Sequence, residues 1–324
     1  MRVLNATKKH PLSRGHIGCV GDVATLNITR GCAGECAFCY ARCYSNAPER
    51  GTLWVYQDLP GQLRRELDSR RRRNPLPGYV VVGSAGDAFL GGERVLAATR
   101  SCIGVLLRRG VGISLSTRGI IPDEIIEVLA RAPDRVHITV PLASMSSDYT
   151  ETWERGTASP EERLFLVQRL QAAGLEPTMH LEPIIPFVND DTEALRDVVS
   201  AIVGLGLKTA MLSLLQLRRG VAEQLRREAP TESLRMVLGC FSSQQEFGRP
   251  GEFDHVAPRQ ATSILRRAQR IGREHGLRIQ ACHCHNPGLP AGRCQIAPRD
   301  PEPRGQATEL FENLDESGRG GQHP

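Results

Sequence analysis

A regular alternation of short apolar segments and amphipathic helical segments occupies most of this chain. Strands are predicted at 22–30, 78–89, 111–119, 135–142, 176–186 and 208–217. Helices are predicted between them at 59–73, 93–110, 122–133, 159–174 and 191–206. Strands that alternate with helices form a parallel sheet with helices outside it. The six units predict an α/β fold, an incomplete (β/α)6 barrel whose chemistry lies at the carboxyl ends of the strands.

The alternation ends near residue 220, and the rest of the chain has a different character. Residues 1–21 predict an irregular N-terminal lead-in, and residues 22–220 form the predicted barrel. Residues 221–295 predict a C-terminal extension with two helical segments, a short strand and a group of cysteines. Residues 296–324 are rich in Pro, Gly and charge, which is typical of a flexible tail.

Composition and charge exclude several classes of protein. Apolar residues make up 40% of the 324 residues and charged residues 24%, which is typical of a globular protein with a buried core. A run of about 18 apolar residues is absent, as is a signal-peptide pattern, so we expect a cytoplasmic protein without a membrane span. The net charge of +5 and the 5% aromatic content argue against a nucleic-acid partner. The basic run at 64–73 is interpreted as a solvated helix face.

The ten cysteines are unevenly distributed, and most of them lie in two groups near the ends of the chain. One group contains Cys32, Cys36, Cys39 and Cys43, and the other contains Cys282, Cys284 and Cys294. Cysteines in a reducing compartment do not form a disulfide framework. Two such groups therefore predict metal ligation at two places.

The first group has the spacing C-x3-C-x2-C over Cys32, Cys36 and Cys39. Three thiolates at this spacing can hold one iron–sulfur cluster and leave its fourth iron without a protein ligand. A structural zinc site is the alternative, with Cys43 as its fourth ligand. The position favours the cluster, because the group follows the first strand of a barrel, where catalytic groups lie.

The segment GCAGECAFCYAR resembles the signature of radical S-adenosylmethionine (SAM) enzymes, in which an aromatic residue follows the third cysteine. The resemblance implies a [4Fe–4S] cluster on Cys32, Cys36 and Cys39 that binds the amino and carboxylate groups of SAM. It implies Tyr40 beside the nucleotide and an electron donor such as flavodoxin or ferredoxin. SAM is cleaved in this family to a 5′-deoxyadenosyl radical, which removes hydrogen from a substrate, here a small molecule. Cys43 is then a bystander.

Other segments resemble the family in their order along the chain. GSAGDAFLG lies where the family has a Gly-rich or acidic motif that contacts the methionyl amine of SAM, which implies Gly83, Gly86 and Asp87 as SAM contacts. WERGTASPEERL and HLEPIIPFVND resemble segments of one branch, the spore photoproduct lyase-like proteins. This resemblance covers residues 22 to about 220 and does not identify a substrate.

Polar residues at the predicted strand ends have two interpretations. Ser116, Thr117 and Thr139 either hold the SAM carboxylate and ribose hydroxyls or make ordinary contacts with solvent. His180 and Glu182, on the fifth predicted strand, either face the substrate or are satisfied core residues. The sequence leaves both alternatives open.

The second cysteine group has the spacing C-x-C-x9-C over Cys282, Cys284 and Cys294, with His283 and His285 between them. Because many radical SAM enzymes carry an auxiliary cluster in a C-terminal extension, the resemblance favours a second Fe–S cluster. Zinc remains an alternative, since the two histidines can complete a tetrahedron. Free thiols are the third possibility.

Cys240 stands alone after a predicted helix. We interpret it as a hydrogen-atom donor, because a thiol S–H bond is weak and a substrate radical can take its hydrogen. Abstraction from one face and return to the other inverts a stereocentre, as in the radical SAM epimerases of aminoglycoside pathways, which this chain resembles. The alternatives are a radical SAM dehydrogenase and a DNA photoproduct lyase.

Overall fold

The computed structural model describes residues 1–69, 75–241, 253–283, 286, 289, 292 and 296–299. The strands are β1 Arg2–Ala6, β2 Ser13–Ile17, β3 Gly21–Leu26, β4 Thr29–Arg30, β5 Thr52–Tyr56, β6 Tyr79–Val82, β7 Gly112–Ser116, β8 Val136–Pro141, β9 Thr178–Ile184, β10 Thr209–Leu214, β11 Gln216–Arg218, β12 Phe253–His255 and β13 Arg278–Ala281. The helices are α1 Leu59–Asp68, α2 Glu93–Arg108, α3 Asp123–Ala130, α4 Ser147–Trp153, α5 Pro160–Ala172, α6 Thr192–Gly204, α7 Val221–Glu228, α8 Thr231–Gly239 and α9 Pro258–Glu274.

The main sheet has the strand order β2–β3–β6–β7–β8–β9–β10–β13. Every neighbouring pair in it is parallel except β2 and β3, which are antiparallel. Helices connect β6 through β10 in chain order, so the carboxyl ends of these strands meet at one edge. This arrangement confirms the predicted α/β class and the partial barrel.

The apolar faces of the strands carry the core. Val80, Ile113, Ile138, Leu181 and Leu212 are almost fully buried under the surrounding helices. Each buried side chain of this size stabilises the fold by about 1.5–3 kcal/mol. In the described part of the chain, no helix is long and apolar enough to cross a membrane.

The N-terminal part differs from the sequence expectation. Residues 1–21, predicted to be irregular, contain β1 and β2. The predicted strand 22–30 divides into β3, which joins the barrel sheet, and β4, which joins a separate sheet with β1 and β5. Alternation was weak in these short segments, and their pairing with distant strands supplies the stability that local pattern does not show.

The C-terminal extension is also tied into the barrel. β13, predicted only as a short isolated strand, extends the main sheet by pairing in parallel with β10. Helix α5 lies within the helix predicted at 159–174 and begins with a capping box, since the Ser159 hydroxyl accepts from the Glu162 N–H and the Glu162 carboxylate accepts from the Ser159 N–H. The division into four segments, with boundaries after residues 21, 220 and 295, remains a prediction.

Candidate active site

The three cysteines of the first group lie on the loop that follows β4, hereafter the cysteine loop (residues 31–39). The Cys39 N–H donates to the Cys36 carbonyl at 3.2 Å, which folds the loop into a tight turn. The loop begins at Gly31 with φ +88°, where a Cβ atom would lie 2.5 Å from a Pro48 side-chain carbon. This position therefore requires glycine.

Residues 153–156 hold the cysteine loop by its backbone. The Glu35 N–H donates to the Arg155 carbonyl at 2.7 Å, and the Ala37 N–H donates to the Trp153 carbonyl at 2.9 Å. Gly156 has φ +73°, and a Cβ atom there would lie 2.9 Å from the Ala33 carbonyl oxygen. The WERG segment thus packs directly against the loop.

The Gly-rich segment 83–87 contacts the cysteine loop at its first thiol. A Cβ atom on Gly86 would lie 2.6 Å from the Gly31 carbonyl oxygen, so only glycine permits this approach. The Asp87 N–H points at the Cys32 sulfur at 3.3 Å, and the Gly34 N–H points at the same sulfur at 3.4 Å. Two backbone donors therefore converge on one thiol.

The Asp87 carboxylate joins the ends of β6 and β7. It accepts hydrogen bonds from the Phe89 N–H at 2.9 Å, the Arg118 N–H at 2.7 Å and the Thr117 hydroxyl at 2.8 Å. Burial raises the pKa of Asp87, while these hydrogen bonds lower it. These three donors occupy the carboxylate and fix the strand ends, so the described geometry gives Asp87 a positioning role, and its contact with SAM remains a prediction.

The other predicted SAM contacts lie along the same edge of the sheet. The Tyr40 hydroxyl donates to the Ser84 carbonyl at 2.8 Å, and the Arg218 guanidinium carbon lies 3.9 Å from the centre of the Tyr40 ring. Burial raises the pKa of Tyr40 to about 12, so the phenol keeps its proton at neutral pH. Tyr40 is therefore placed beside the Gly-rich segment.

The polar residues of β7 and β8 differ in accessibility. Ser116 is exposed, whereas Thr117 and Thr139 are buried. The Thr117 hydroxyl accepts from the Gly119 N–H at 2.8 Å in addition to its bond to the carboxylate. The Thr139 hydroxyl lies 3.3 Å from that of Thr178. Both threonines thus have partners within the protein, and their roles toward SAM remain predictions.

A matching domain model identifies the family. The radical SAM superfamily model matches residues 26–199, which is more than half of the chain. The chain belongs to the radical SAM superfamily. Its cofactors are therefore a [4Fe–4S] cluster and SAM, as the resemblance implied. The match covers strands β6 to β9, the cysteine loop and the Gly-rich segment.

The names of the curated relatives that this chain matches give no activity. Uncharacterized proteins of Mycobacterium tuberculosis and Mycobacterium bovis are 28% identical to this chain over 191 residues. The match covers 56% of this chain and 55% of each relative, so the chain spans about half the length of the curated relatives it matches.

Solved structures share the fold. Spore photoproduct lyase complexed with dinucleoside spore photoproduct gives a TM-score of 0.64 at 14% identity, covering 86% of this chain and 81% of the lyase. SuiB from Streptococcus suis gives a TM-score of 0.50 at 12% identity, covering 85% of this chain and 54% of SuiB. The likeness to the lyase confirms the predicted radical SAM barrel, and at these identities it shows the fold alone.

The chemistry of the cysteine loop fits the cluster. Burial and the nearby charge of Asp87 together raise the pKa of Cys32 to about 12. Burial also raises the pKa of Cys36, against the Arg118 guanidinium, while charges on the other two cysteines add to the rise. The three sulfurs are close enough to repel one another as thiolates, and bound iron would remove this penalty.

The spacing of these side chains also bears on the kind of metal group. Within the described ranges, no three His, Cys, Asp or Glu side chains lie close enough together to hold a single metal ion. A cubane cluster needs a wider arrangement, because each thiolate binds a different iron. Cys32, Cys36 and Cys39 would hold such a cluster, and this assignment of ligands remains a prediction.

Helix α7 contacts the cysteine loop from the C-terminal extension, which the sequence did not indicate. The Gln224 amide donates to the Ala37 carbonyl at 2.8 Å and to the Cys39 carbonyl at 3.2 Å. The thiol of Cys43 lies 3.6 Å from the Gln224 amide oxygen. Cys43 therefore contacts α7, and its interpretation as a bystander remains a prediction.

A second contact from α7 is ionic. The Glu228 carboxylate receives hydrogen bonds from Arg42 at 2.6 and 2.9 Å and from Arg155 at 2.6 Å. Arg42 also donates to the Cys36 carbonyl at 3.0 Å. Glu228 thus links two segments that border the cysteine loop.

A buried ion-pair network lies behind the loop. Glu154 and Arg163 are each about 1% exposed, and their side chains pair at 2.6 Å. Arg118 donates to the same glutamate at 3.0 Å. The PEERL segment thus contributes Arg163 to a structural network, a function that its resemblance to the branch did not specify.

The predicted residues of the C-terminal extension are only partly described. Cys282 follows β13, is buried, and donates from its N–H to the Leu212 carbonyl at 3.1 Å. It thus lies at the carboxyl edge of the sheet. Cys284 and Cys294 fall outside the described residues, so the second Fe–S cluster and its zinc alternative remain predictions. Cys240 directly follows α8 and is partly buried.

Proposed function

We propose that this chain is a radical SAM epimerase that inverts a carbon centre in a sugar or aminoglycoside, with Cys240 as the hydrogen-atom donor. The observation that carries this proposal is the environment of the Cys240 thiol. Burial raises its pKa, and the negative charge of Asp190 adds to the rise. The thiol therefore keeps its hydrogen at neutral pH, as a donor must.

The position of Cys240 also supports this role. Asp190 belongs to the turn that follows β9, where its carboxylate accepts from the Phe187 N–H at 2.6 Å. The turn lies at the carboxyl edge of the sheet, the same edge as the cysteine loop. Because the charge of Asp190 acts on the Cys240 thiol, this thiol lies near the edge where substrate is expected.

The proposed reaction is redox-neutral. The bound cluster and SAM would supply a radical that removes one hydrogen atom from substrate carbon. Cys240 then gives its hydrogen to the opposite face of that carbon, so an S–H bond breaks and a C–H bond forms. The resulting thiyl radical needs one electron and one proton. A second cluster on Cys282, Cys284 and Cys294, or a flavodoxin or ferredoxin, would supply the electron.

The first experiment tests the radical chemistry. The protein is reconstituted with iron and sulfide, reduced, and incubated with SAM. About four irons per chain indicate one cluster and about eight indicate two. Formation of 5′-deoxyadenosine is expected, and a reduced, fully loaded protein that forms none would overturn the proposal.

The second experiment tests the donor. Wild type and Cys240→Ala are incubated with the aminoglycoside neamine in deuterated water, with Cys102→Ala as a matched cysteine control in the α2 core. We expect wild type and the control to place one deuterium in an inverted product. The Cys240 variant should form 5′-deoxyadenosine without inversion. Equal turnover in all three proteins refutes the donor role.

Parallel reactions distinguish the alternative functions. An oxidised product with two fewer hydrogens would indicate a dehydrogenase. A structurally similar protein, spore photoproduct lyase, was solved in complex with dinucleoside spore photoproduct. That compound is therefore assayed as a substrate as well. Its conversion to an undamaged dinucleoside would replace epimerisation with lesion repair.

A further inference from the structure

Three polar side chains on β9 and β10 form a hydrogen-bonded chain inside the barrel. The Ser213 hydroxyl lies 3.1 Å from Nε2 of His180, and Nδ1 of His180 lies 3.0 Å from a carboxylate oxygen of Glu182. Ser213 is fully buried, whereas the Glu182 side chain is 28% exposed. The hydrogen bonds therefore lead from Ser213 in the core to the partly exposed carboxylate of Glu182.

The three hydrogen-bonded side chains, Ser213, His180 and Glu182, lie on the face of the sheet that the helices do not cover. Met179 and Leu181 alternate with His180 and Glu182 and are fully buried on the other face. Thr178 on the same strand lies opposite Thr139 of β8 and extends this polar surface. Burying a histidine and a carboxylate costs free energy that apolar residues would not cost. A packing role therefore does not account for the chain.

The position of the proton on His180 decides which atoms donate and which accept in these hydrogen bonds. In the tautomer with its proton on Nδ1, His180 accepts from the Ser213 hydroxyl at Nε2 and donates to Glu182 at Nδ1. This arrangement holds one carboxylate oxygen in place. His180 and Ser213 are thus positioning residues for the carboxylate.

Glu182, the partly exposed end of this hydrogen-bonded set, lies near the cysteine loop. The Glu182 carbonyl accepts from the Arg118 guanidinium at 3.0 Å, and the charge of Glu182 contributes to the electrostatic environment of Tyr40. On the adjoining strand β8, burial and the nearby His180 lower the pKa of His137 to about 4, so this ring is uncharged at neutral pH. The charge of Arg118 is shared with buried Glu154.

We propose that Glu182, oriented by His180 and Ser213, is a ligand-binding carboxylate that accepts a hydrogen bond from a hydroxyl or ammonium group. This inference rests on the proposed function and names the side chain that would bind its substrate, a polyol or amino sugar. SAM carries the same two groups, so the experiment must separate the two sources. The chemistry of recognition is the same for both.

The test measures binding to anaerobic, cluster-loaded protein by equilibrium dialysis. The probes are SAM alone, and neamine or the uncharged disaccharide trehalose in the presence of SAM. Wild type is compared with Glu182→Gln, which keeps the shape but removes the charge. Glu127→Gln, an exposed substitution on α3, is the matched control. A lost charge-assisted hydrogen bond weakens binding by about 10- to 100-fold.

Each outcome decides the proposal. Weaker binding of neamine or trehalose to Glu182→Gln, with SAM binding unchanged, supports substrate recognition. Weaker SAM binding assigns the carboxylate to the cofactor and overturns the substrate class. Unchanged SAM binding, with no sugar bound or with sugar bound equally, overturns the proposal altogether. Formation of 5′-deoxyadenosine by the same samples tests the proposed function separately.

The positioning roles have their own readout. His180→Asn keeps an N–H close to the position of Nδ1, whereas His180→Leu removes it at similar volume. We expect the asparagine variant to retain more of the affinity than the leucine variant, while thermal unfolding is similar for both. Equal affinities in the two variants would show that His180 does not orient Glu182.

Discussion

Helix α7 stabilises the cysteine loop through one buried side chain, and Gln224→Leu tests this directly. Gln224 is 3% exposed and donates to the carbonyls of Ala37 and Cys39. Leucine has a similar volume but no donors, so the substitution leaves Ala37, itself fully buried, with an unpaired carbonyl. An unsatisfied buried acceptor costs about 1–3 kcal/mol, and the second bond adds about 1 kcal/mol.

The expected cost of about 2–4 kcal/mol falls on the loop rather than on the barrel. Each 1.36 kcal/mol changes an equilibrium tenfold, so the open state of the loop becomes about 30- to 900-fold more populated. Iron bound to the loop is exposed to a chelator only in that state. When opening is fast compared with chelation, loss of iron accelerates by the same factor.

The assay follows transfer of iron from reconstituted protein to a coloured chelator under anaerobic conditions. Gln168→Leu, an exposed glutamine on α5, controls for the general effect of adding a leucine. Urea unfolding of the iron-free proteins measures global stability in parallel. If Gln224→Leu releases iron at the wild-type rate, α7 does not hold the loop and the reasoning is wrong.

Three further substitutions test the network, the glycine approach and a buried histidine. Glu154→Gln leaves its buried arginine partner uncompensated and should cost about 3–5 kcal/mol in urea unfolding. The control Glu162→Gln keeps the capping-box acceptor at an exposed site and should cost less than about 1 kcal/mol. Equal losses in the two variants would contradict the buried pair. Gly86→Ala places a Cβ atom 2.6 Å from a carbonyl oxygen of the cysteine loop, so it should lower the iron content of the protein after reconstitution. The control Gly204→Ala should keep the wild-type iron content, because its Cβ atom meets nothing within 4 Å. The pKa of His137 falls from 6.5 to about 4 on folding. Its contribution to the free energy of unfolding is therefore present above pH 6.5 and is lost as the pH falls toward 4. The free energy of unfolding of His137→Leu should depend less on pH across this range than that of wild type, and an unchanged profile would refute the shift.

Local sequence pattern predicts the barrel because each strand and helix carries its own periodicity. The strand predicted at 78–89 contains β6, which ends earlier, at Val82, and the helix predicted at 159–174 contains α5. β1 and β2 were missed, since their stability comes from pairing with strands that the local pattern does not reveal. The short spacing between Cys32, Cys36 and Cys39 also predicted from sequence alone that these three cysteines lie together on one loop.

Contacts that join distant segments were not predictable from the same information. Gln224 lies 187 residues from the carbonyl of Ala37 that it binds, and one glutamine on an amphipathic helix has no distinctive signature. Asp87 shows a different limit. Its type and position suggested a contact with SAM, but its hydrogen bonds to Thr117 and Arg118 depend on how β6 and β7 end side by side.

The cysteine loop is held on one side by backbone bonds and on the other by side chains. Residues 153–156 and the Gly-rich segment belong to the barrel, so their contacts form with the sheet. Gln224 and Glu228 belong to the extension, and their contacts form only when α7 docks. A disturbance of the extension can therefore reach the first three cysteines without altering the barrel. This connection gives the extension a physical means to affect the radical site.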